Sequence, residues 1–300
     1  VEHEKMDVSD LRIFEAVARL RGMNKAASEL NTVQSNVTAR VRLLEENLGM
    51  QLFHRHSRGI ALTAAGQRLL PYAVRVMQLL AEARRAVEDD GIPKGPLTIG
   101  SLETTAALRL SPVLSAYAAV YPDVDVTLRT GTTCELIADV REHRVEGAFV
   151  CGPVDHGELQ EEIFFREELV ILTAMKVPNL DAALRKGDVR IVVLRQGCSY
   201  RQFLETMLAK RGIVGLRLLE FGTLEAIYGA VSAGLGITLL PKSLIGSVWR
   251  DRRVAVHELP AKESRVDTVF IHRRDTLVSS ALAAFLKCAR PTPISLRAAE

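Results

Sequence analysis

The chain has no run of eighteen or more apolar residues, and its first ten residues are polar and acidic with no apolar core of a signal peptide. Export and membrane insertion are therefore not expected, and the expected location is the cytoplasm. Cysteine is sparse. Cys134, Cys151, Cys198 and Cys288 are far apart, without a CxxC pair or a Cys/His cluster, which removes the usual grounds for a structural zinc site and leaves four free thiols as the expectation. There is no HExxH, no Walker loop and no G-x-S-x-G elbow, since Gly229 precedes Ser232 by three positions instead of two. His143, His156, His257 and His272 are scattered. No catalytic constellation, cofactor or metal is expected, nor is any 20- to 50-residue repeat visible.

What is present is ample core-forming material, 48% hydrophobic over 300 residues, enough for two or three domains. The spacing predicts helices over Asp7 to Arg21 and Lys25 to Leu30, the latter capped by Asn24. After a turn (Asn31 to Val33), a longer helix is predicted from Gln34 to Leu48. In this last helix Val37, Val41, Leu44 and Leu48 are spaced four, three and four, one stripe facing a core. Thr32 is the expected N-cap, because Val33 has no side-chain acceptor. Near the start of the helix, Gln34, Ser35, Asn36 and Thr38 suit contact with base edges in a major groove, with Arg40 and Arg42 further along. A basic, hairpin-like loop follows, carrying His54, Arg55, His56 and Arg58 around Gly59 and suited to phosphate. From Arg40 to Arg68 there are five arginines against two glutamates. This local excess matters more for binding DNA than the whole-chain net charge of +3.

The run Leu30, Gln34, Ser35, Val37, Thr38, Val41, Arg42, Leu44, Glu45, then Leu48, Gly49, Leu52, Phe53, Arg55, Arg58, Gly59, Leu62, Thr63, Ala65 and Gly66, closely resembles the N-terminal signature of LysR-type transcriptional regulators. It departs at Val33, where the family usually has Ser or Thr, and at Ala39, often basic in the family. Both departures bear on base contacts and not on the fold.

From Thr63 to about Glu88 a long helix is predicted, with Leu69, Tyr72, Val76, Leu79, Ala83 and Ala86 as a coiled-coil seam and Pro71 as a bend or break. The seam suggests dimerisation, since two modules read two half-sites. Residues 89–96 read as a Gly/Pro/charged hinge. Beyond it, strands and helices alternate, implying an open, mainly parallel sheet covered by helices. The strands are Leu97 to Gly100, Val124 to Arg129 and Ala148 to Cys151, separated by helices Ala106 to Val120 and Glu135 to His143. An extended segment, 163–175, leads to a second series: strand Arg190 to Leu194, helix Tyr200 to Lys210, strand Leu216 to Glu220, helix Leu224 to Ala233, strand Ile237 to Leu240, helix Lys242 to Trp249 and strand Val254 to His257. Val266 to His272 then crosses back, and helix Leu277 to Ala289 closes the first lobe.

The expected fold class is an all-α winged helix-turn-helix domain with a linker helix, then an α/β two-lobed effector domain. The resemblance implies that the latter has the fold of periplasmic solute-binding proteins. The expected divisions are 1–66, 67–94 and 95–300, with lobe I at about 95–165 and 268–290 and lobe II at about 166–267.

Ligands of open α/β sheets bind beyond the carboxyl ends of the strands, at helix N-termini. Four such turns here are rich in hydroxyls and glycine, and they supply the candidate effector residues Ser101, Thr104, Thr130, Gly131, Thr132, Cys198, Ser199 and Thr223. A small carboxylate suits these turns, with Glu103, Arg195 and Arg201 tuning the charge. Cys198, at a helix N-terminus, carries a redox alternative through a lowered thiol pKa. The Gly234-Leu235-Gly236 run is not a dinucleotide fingerprint, because it ends a helix and begins a strand. The sequence thus predicts a DNA-binding transcription regulator switched by a small molecule. An effector-independent DNA-binding protein with a vestigial cleft is the alternative. The resemblance implies a tetramer of two dimers, and RNA polymerase is an expected partner.

Overall fold

The computed structural model describes residues 6–56, 59–184, 189–247 and 253–290, with only the backbone at Arg55 and Ser247. The chain forms two compact units, Val1–Glu88 and Asp89–Glu300.

In the first unit, α1 (Val8–Leu20), α2 (Met23–Glu29) and α3 (Gln34–Leu48) precede a two-stranded antiparallel wing, β1 (Phe53–His56) and β2 (Gly59–Leu62), and then α4 (Ala64–Glu88). Phe14, Val17, Ala26, Val37, Val41, Leu44 and Ala73 are fully buried in one core. The stripe expected on α3 holds for its first three members. Leu48 is the last helical residue and remains 38% exposed.

The expected caps are corrected. Gly22, not Asn24, precedes α2, and Asn24 lies inside that helix. Val33 is the N-cap of α3 despite having no side chain to offer, while the Thr32 hydroxyl accepts from Asn36 Nδ2 at 3.0 Å. Asp7 caps α1 through Ser9 N.

The predicted seam on α4 divides. Leu69 and Val76 pack on the unit's own core, whereas Tyr72 and Leu79 are exposed. Helix α4 continues through Pro71, beyond the first turn where a missing N–H would cost nothing, so one intrahelical hydrogen bond is given up there.

The second unit begins with β3 (Gly95–Ser101). A helical stretch follows, made of α5 (Glu103–Thr105), a π-helical turn over Ala106–Leu110, and α6 (Ser111–Val120). Next come β4 (Val124–Thr130), α7 (Thr133–Arg141), β5 (Gly147–Cys151) and the long β6 (Leu159–Ala174). Beyond β6 lie α8 (Leu180–Leu184), β7 (Arg190–Val193), α9 (Ser199–Lys210), β8 (Arg217–Glu220), α10 (Leu224–Ser232), β9 (Thr238–Pro241), α11 (Leu244–Ser247) and β10 (Val254–Glu258). The described chain ends with α12 (Ala261–Ser264), β11 (Arg265–Arg273) and α13 (Ser280–Ala289).

The pairing is mixed, not mainly parallel. β3 runs parallel to β4 and β5, and β7 parallel to β8. β6 is antiparallel to β11, β10 and β9, and β11 is antiparallel to β5. The first half of β6 pairs with β11 in one lobe and the second half with β9 and β10 in the other. β11 runs back beside β6 from the second lobe to the first, and the two strands therefore lie antiparallel.

Of the expected helix Lys242 to Trp249, the described residues hold α11, which is interrupted at Gly246 with φ +88. Trp249 lies outside the described residues. Gly234, with φ +79, follows the C-cap Ala233 of α10, so the Gly-x-Gly run does end a helix.

A phenylalanine cluster fills one side of the first lobe's sheet, with Phe149 4.9 Å from Phe270 and 5.3 Å from Phe164 between ring centroids. Asp89 Oδ2 accepts from Ser280 N at 2.7 Å, fastening the start of this unit to α13.

Candidate DNA interface and effector cavity

The first unit presents the exposed side chains Gln34, Ser35, Asn36 and Arg42 along α3, with Thr38 half-buried beside them. Gln34 Nε2 donates to Thr38 Oγ1 at 3.0 Å, so in the free chain these two groups occupy each other. Arg42, His54 and His56 line one shallow hollow with Gln51, which brings the middle of α3 next to the wing. The rings of His54 and His56 stack at 5.8 Å. Glu45 Oε1 accepts from Leu52 N at 2.8 Å and Phe53 N at 3.2 Å, tying the wing to α3. The Arg55 side chain and all of Arg58 lie outside the described residues.

Arg40 is placed differently from its neighbours. Its NH1 is 3.1 Å from Asp10 Oδ1, and Asp10 is 2% exposed. The guanidinium is thereby committed to α1. This contact is a charge pair without hydrogen-bond alignment, for Asp10 Oδ1 makes no hydrogen bond among the described residues. Arg40→Ala strands a buried carboxylate, so the unit is expected to lose roughly 1–3 kcal/mol in urea denaturation. An arginine that served DNA phosphate alone would leave the denaturation curve unchanged and weaken only binding.

In the second unit a cavity of about 410 Å³ lies between the lobes. Lobe I supplies the loop after β3 and the turn after β4; lobe II supplies the turns after β7 and β8. Of the expected residues, Thr104, Thr130, Gly131, Thr132, Cys198, Ser199 and Thr223 all line it. Ser101 does not: it is fully buried and its hydroxyl donates to Leu102 O at 2.9 Å. Arg201 also stays outside the lining, held by Glu205 at 2.9 Å and Glu220 at 2.8 Å.

Sequence reasoning left out Cys151 and Leu194, which the cavity includes. Their signal was position alone, at the carboxyl ends of β5 and β7. Thr133, Tyr200 and Gly222 belong to the predicted turns and line the cavity as well.

Several bonds cross between the lobes. Ser199 Oγ donates to Thr133 Oγ1 at 2.8 Å, Arg195 NH2 to Glu135 Oε2 at 2.9 Å, and Leu224 N to Glu103 Oε1 at 3.2 Å. The Glu135 carboxyl is held below its ordinary pKa. Burial raises it, but the Thr132 backbone N–H, the Arg195 guanidinium and the Thr132 hydroxyl together outweigh that.

Cys198 corrects the redox expectation. Its thiol pKa is raised, because burial outweighs the backbone N–H groups of Arg201 and Tyr200 that point at the sulfur. Burial pushes Cys151 up to about 12, so its thiolate is scarce at about pH 8. In iodoacetamide at that pH, the exposed Cys134 and Cys288 are expected to be modified while Cys151 and Cys198 persist in the folded chain. Equal rates for all four by mass spectrometry would contradict this.

Among the described residues no helix is long and apolar enough to cross a membrane. A winged helix-turn-helix followed by a two-lobed α/β unit with an interlobe cavity defines a DNA-binding regulator with an effector-type domain. Residues 8–67 match the family described as bacterial regulatory helix-turn-helix protein, lysR family, and residues 90–292 match the LysR substrate binding domain. The chain belongs to the LysR family of transcriptional regulators.

It is 44% identical over 281 residues to the transcriptional regulator GltR of Bacillus subtilis (strain 168), covering 94% of this chain and 95% of that protein. It is 40% identical over 292 residues to the regulator SoxR of Arthrobacter sp. (strain TE1826), covering 97% and 99%. The fold is similar to that of full-length OxyR from Pseudomonas aeruginosa, with TM-score 0.68, 18% identity and 95% of both chains covered. It is also similar to that of full-length CbnR solved with its target DNA, with TM-score 0.67, 23% identity and coverage of 95% and 99%.

Proposed function

We propose that this regulator binds operator DNA as a dimer of winged helix-turn-helix modules and that a small molecule in the interlobe cavity switches its activity. The observation carrying the switch is that both lobes supply the lining of one cavity. A ligand there contacts lobe I and lobe II at once, so it binds one lobe angle better than another and shifts the population between them.

Gln34, Ser35, Asn36 and Thr38 read bases. Thr32, Arg40, Arg42, His54, Arg55 and Arg58 serve phosphate or orient the helix, Arg40 through its hold on α1. The exposed Tyr72 and Leu79 of α4 belong to the dimer contact, and two dimers make a tetramer. RNA polymerase is the partner at the promoter. In this reading 1–66 is the DNA-reading domain, 67–94 the linker and 95–300 the effector domain, with lobes at about 95–165 with 268–290 and 166–267. Thr104, Thr130, Gly131, Thr132, Cys198, Ser199 and Thr223 face the effector, and Ser101 supports the turn behind them.

The test is thermal denaturation of the full chain against fractions of a metabolite extract. A ligand at a hundred times its dissociation constant stabilises by about 2.7 kcal/mol, a shift of several degrees in the melting midpoint. The active fraction must also change the affinity for DNA. If no fraction does either, the effector reading fails and the cavity is vestigial.

A further inference from the structure

Three helices of nine or more residues open towards the cavity, and their first-turn amides are met differently; the three-residue α5 also starts there, at Leu102, without a side-chain cap. α7 is closed by a capping box, in which Thr132 Oγ1 accepts from Glu135 N at 3.3 Å and Glu135 Oε2 from Thr132 N at 2.8 Å. α10 is closed by Thr223 Oγ1, which accepts from Ala226 N at 3.2 Å, and by Glu103 Oε1, which reaches Leu224 N from the other lobe. α9, twelve residues long, has Cys198 as its cap residue and no side-chain cap hydrogen bond. Its amides at Tyr200 and Arg201 face the Cys198 sulfur, a weak acceptor. Of the three N-termini, that of α9 is the one no oxygen closes among the described residues.

A second observation lies beside it. Thr104 lines the same cavity, is 2% exposed, and its Oγ1 has no hydrogen-bond partner among the described residues. The Tyr200 phenol lies within hydrogen-bonding reach of this hydroxyl, but the pair does not meet hydrogen-bond geometry. The open helix end calls for an acceptor-rich, anionic group, and the buried hydroxyl beside it can donate to the same group.

The opposite demand comes from Glu103. It and Arg195 are the two charged side chains among the fifteen lining residues. Arg195 is neutralised by Glu135 at 2.9 Å, and Glu103 makes no ion pair among the described residues, only the single bond from Leu224 N. A plain carboxylate would satisfy α9 and Thr104 but meet repulsion from Glu103. A plain amine would satisfy Glu103 and leave the α9 amides unmet.

We propose that the cavity takes a zwitterion, a free amino acid, with its carboxylate on the α9 amides and the Thr104 hydroxyl and its ammonium on Glu103. This rests on the reading that the cavity binds a small effector and names the chemical class. Glu103 is then the residue that separates amino acids from the matching hydroxy acids.

The test is isothermal titration of the full chain with each proteinogenic L-amino acid. The 2-hydroxy acid and the decarboxylated amine of whichever amino acid binds are then titrated. Each analogue is expected to bind at least about tenfold more weakly than the amino acid. Glu103→Gln retains an oxygen for Leu224 N, so the interlobe bond survives while the charge is lost. In this variant the amino acid and its hydroxy acid should come within about threefold of each other. Thr104→Val removes an unpaired buried hydroxyl and is expected to leave the melting midpoint of the empty protein no lower, yet to weaken the amino acid about fivefold or more.

The proposal is overturned if no amino acid binds, if the hydroxy acid binds wild type as well as the amino acid does, or if Glu103→Gln keeps the preference. A metabolite extract that alters DNA binding when no amino acid is bound overturns the ligand class and leaves the effector reading standing. An extract with no effect, together with no amino acid binding, overturns both.

Discussion

Replacing Gly66 with alanine is expected to unfold the DNA-reading unit while the second unit stays folded. Gly66 lies in the first turn of α4, where a Cβ would sit 2.2 Å from Leu52 O and 2.8 Å from Leu62 Cδ2. The nearer atom is backbone and cannot swing aside. It is also held, because Thr63 N donates to Leu52 O at 2.9 Å and the Thr63 hydroxyl donates to Gln51 O at 2.7 Å while accepting from Gly66 N at 3.1 Å. Relieving the clash means moving α4 away from the wing and breaking this knot. The expected loss is about 4 kcal/mol or more, against total stabilities of about 5–15 kcal/mol for a domain. Hydrogen exchange should show α3 unprotected and β6 protected, with DNA binding abolished. Normal protection of α3 together with normal binding would contradict the close approach.

The mirror experiment is Gly147→Ala. At the start of β5 a Cβ would meet Phe270 Cζ at 2.2 Å, Phe270 Cε1 at 2.6 Å and Ile271 O at 2.8 Å. Phe270 is 1% exposed and hemmed in by Phe149 and Phe164, so its ring has no free volume to enter. β11, which carries both Phe270 and Ile271, is paired with β5 along its length from Thr268 to Ile271. The substitution therefore has to separate two paired strands at the centre of the lobe. The second unit should lose about 3 kcal/mol or more, with protection in α3 retained and that in β6 reduced. A thermal midpoint for the second unit within a degree of wild type would count against this packing.

The pattern of success from sequence follows the range of the interaction. Val37, Val41 and Leu44 were legible because a helical stripe is local, and the turns that line the cavity were legible because strand ends and helix starts are punctuated by glycine and hydroxyls. Caps were less legible. Thr32 looked like a cap by composition, but the chain enters α3 at Val33, and the Thr32 hydroxyl turns to Asn36. α7 begins at Thr133, ahead of the expected start at Glu135, because Thr132 and Glu135 close a box across that turn.

What sequence could not show was partnership at a distance. The antiparallel return of β11 along β6, the charge pair of Arg40 with Asp10 and the inward hydroxyl of Ser101 all depend on residues brought together by the fold. The raised pKa of Cys198 has the same origin: a helix N-terminus was visible in the sequence, and the burial that overrides it was not. The unmet hydroxyl of Thr104 is another such feature, since a threonine in a turn reads as a cap until its surroundings are known.

Control of DNA reading by occupancy of the cavity can be read from a footprint of the DNA upstream of the protein's own gene. Full-length protein, freed of small molecules by dialysis, is used with and without metabolite extract, for wild type and Thr104→Val. The expected result is a protected region that lengthens, shortens or shifts when extract is added to wild type, and a response in Thr104→Val that requires several times more extract. Protection by both proteins that is identical with and without extract would contradict it.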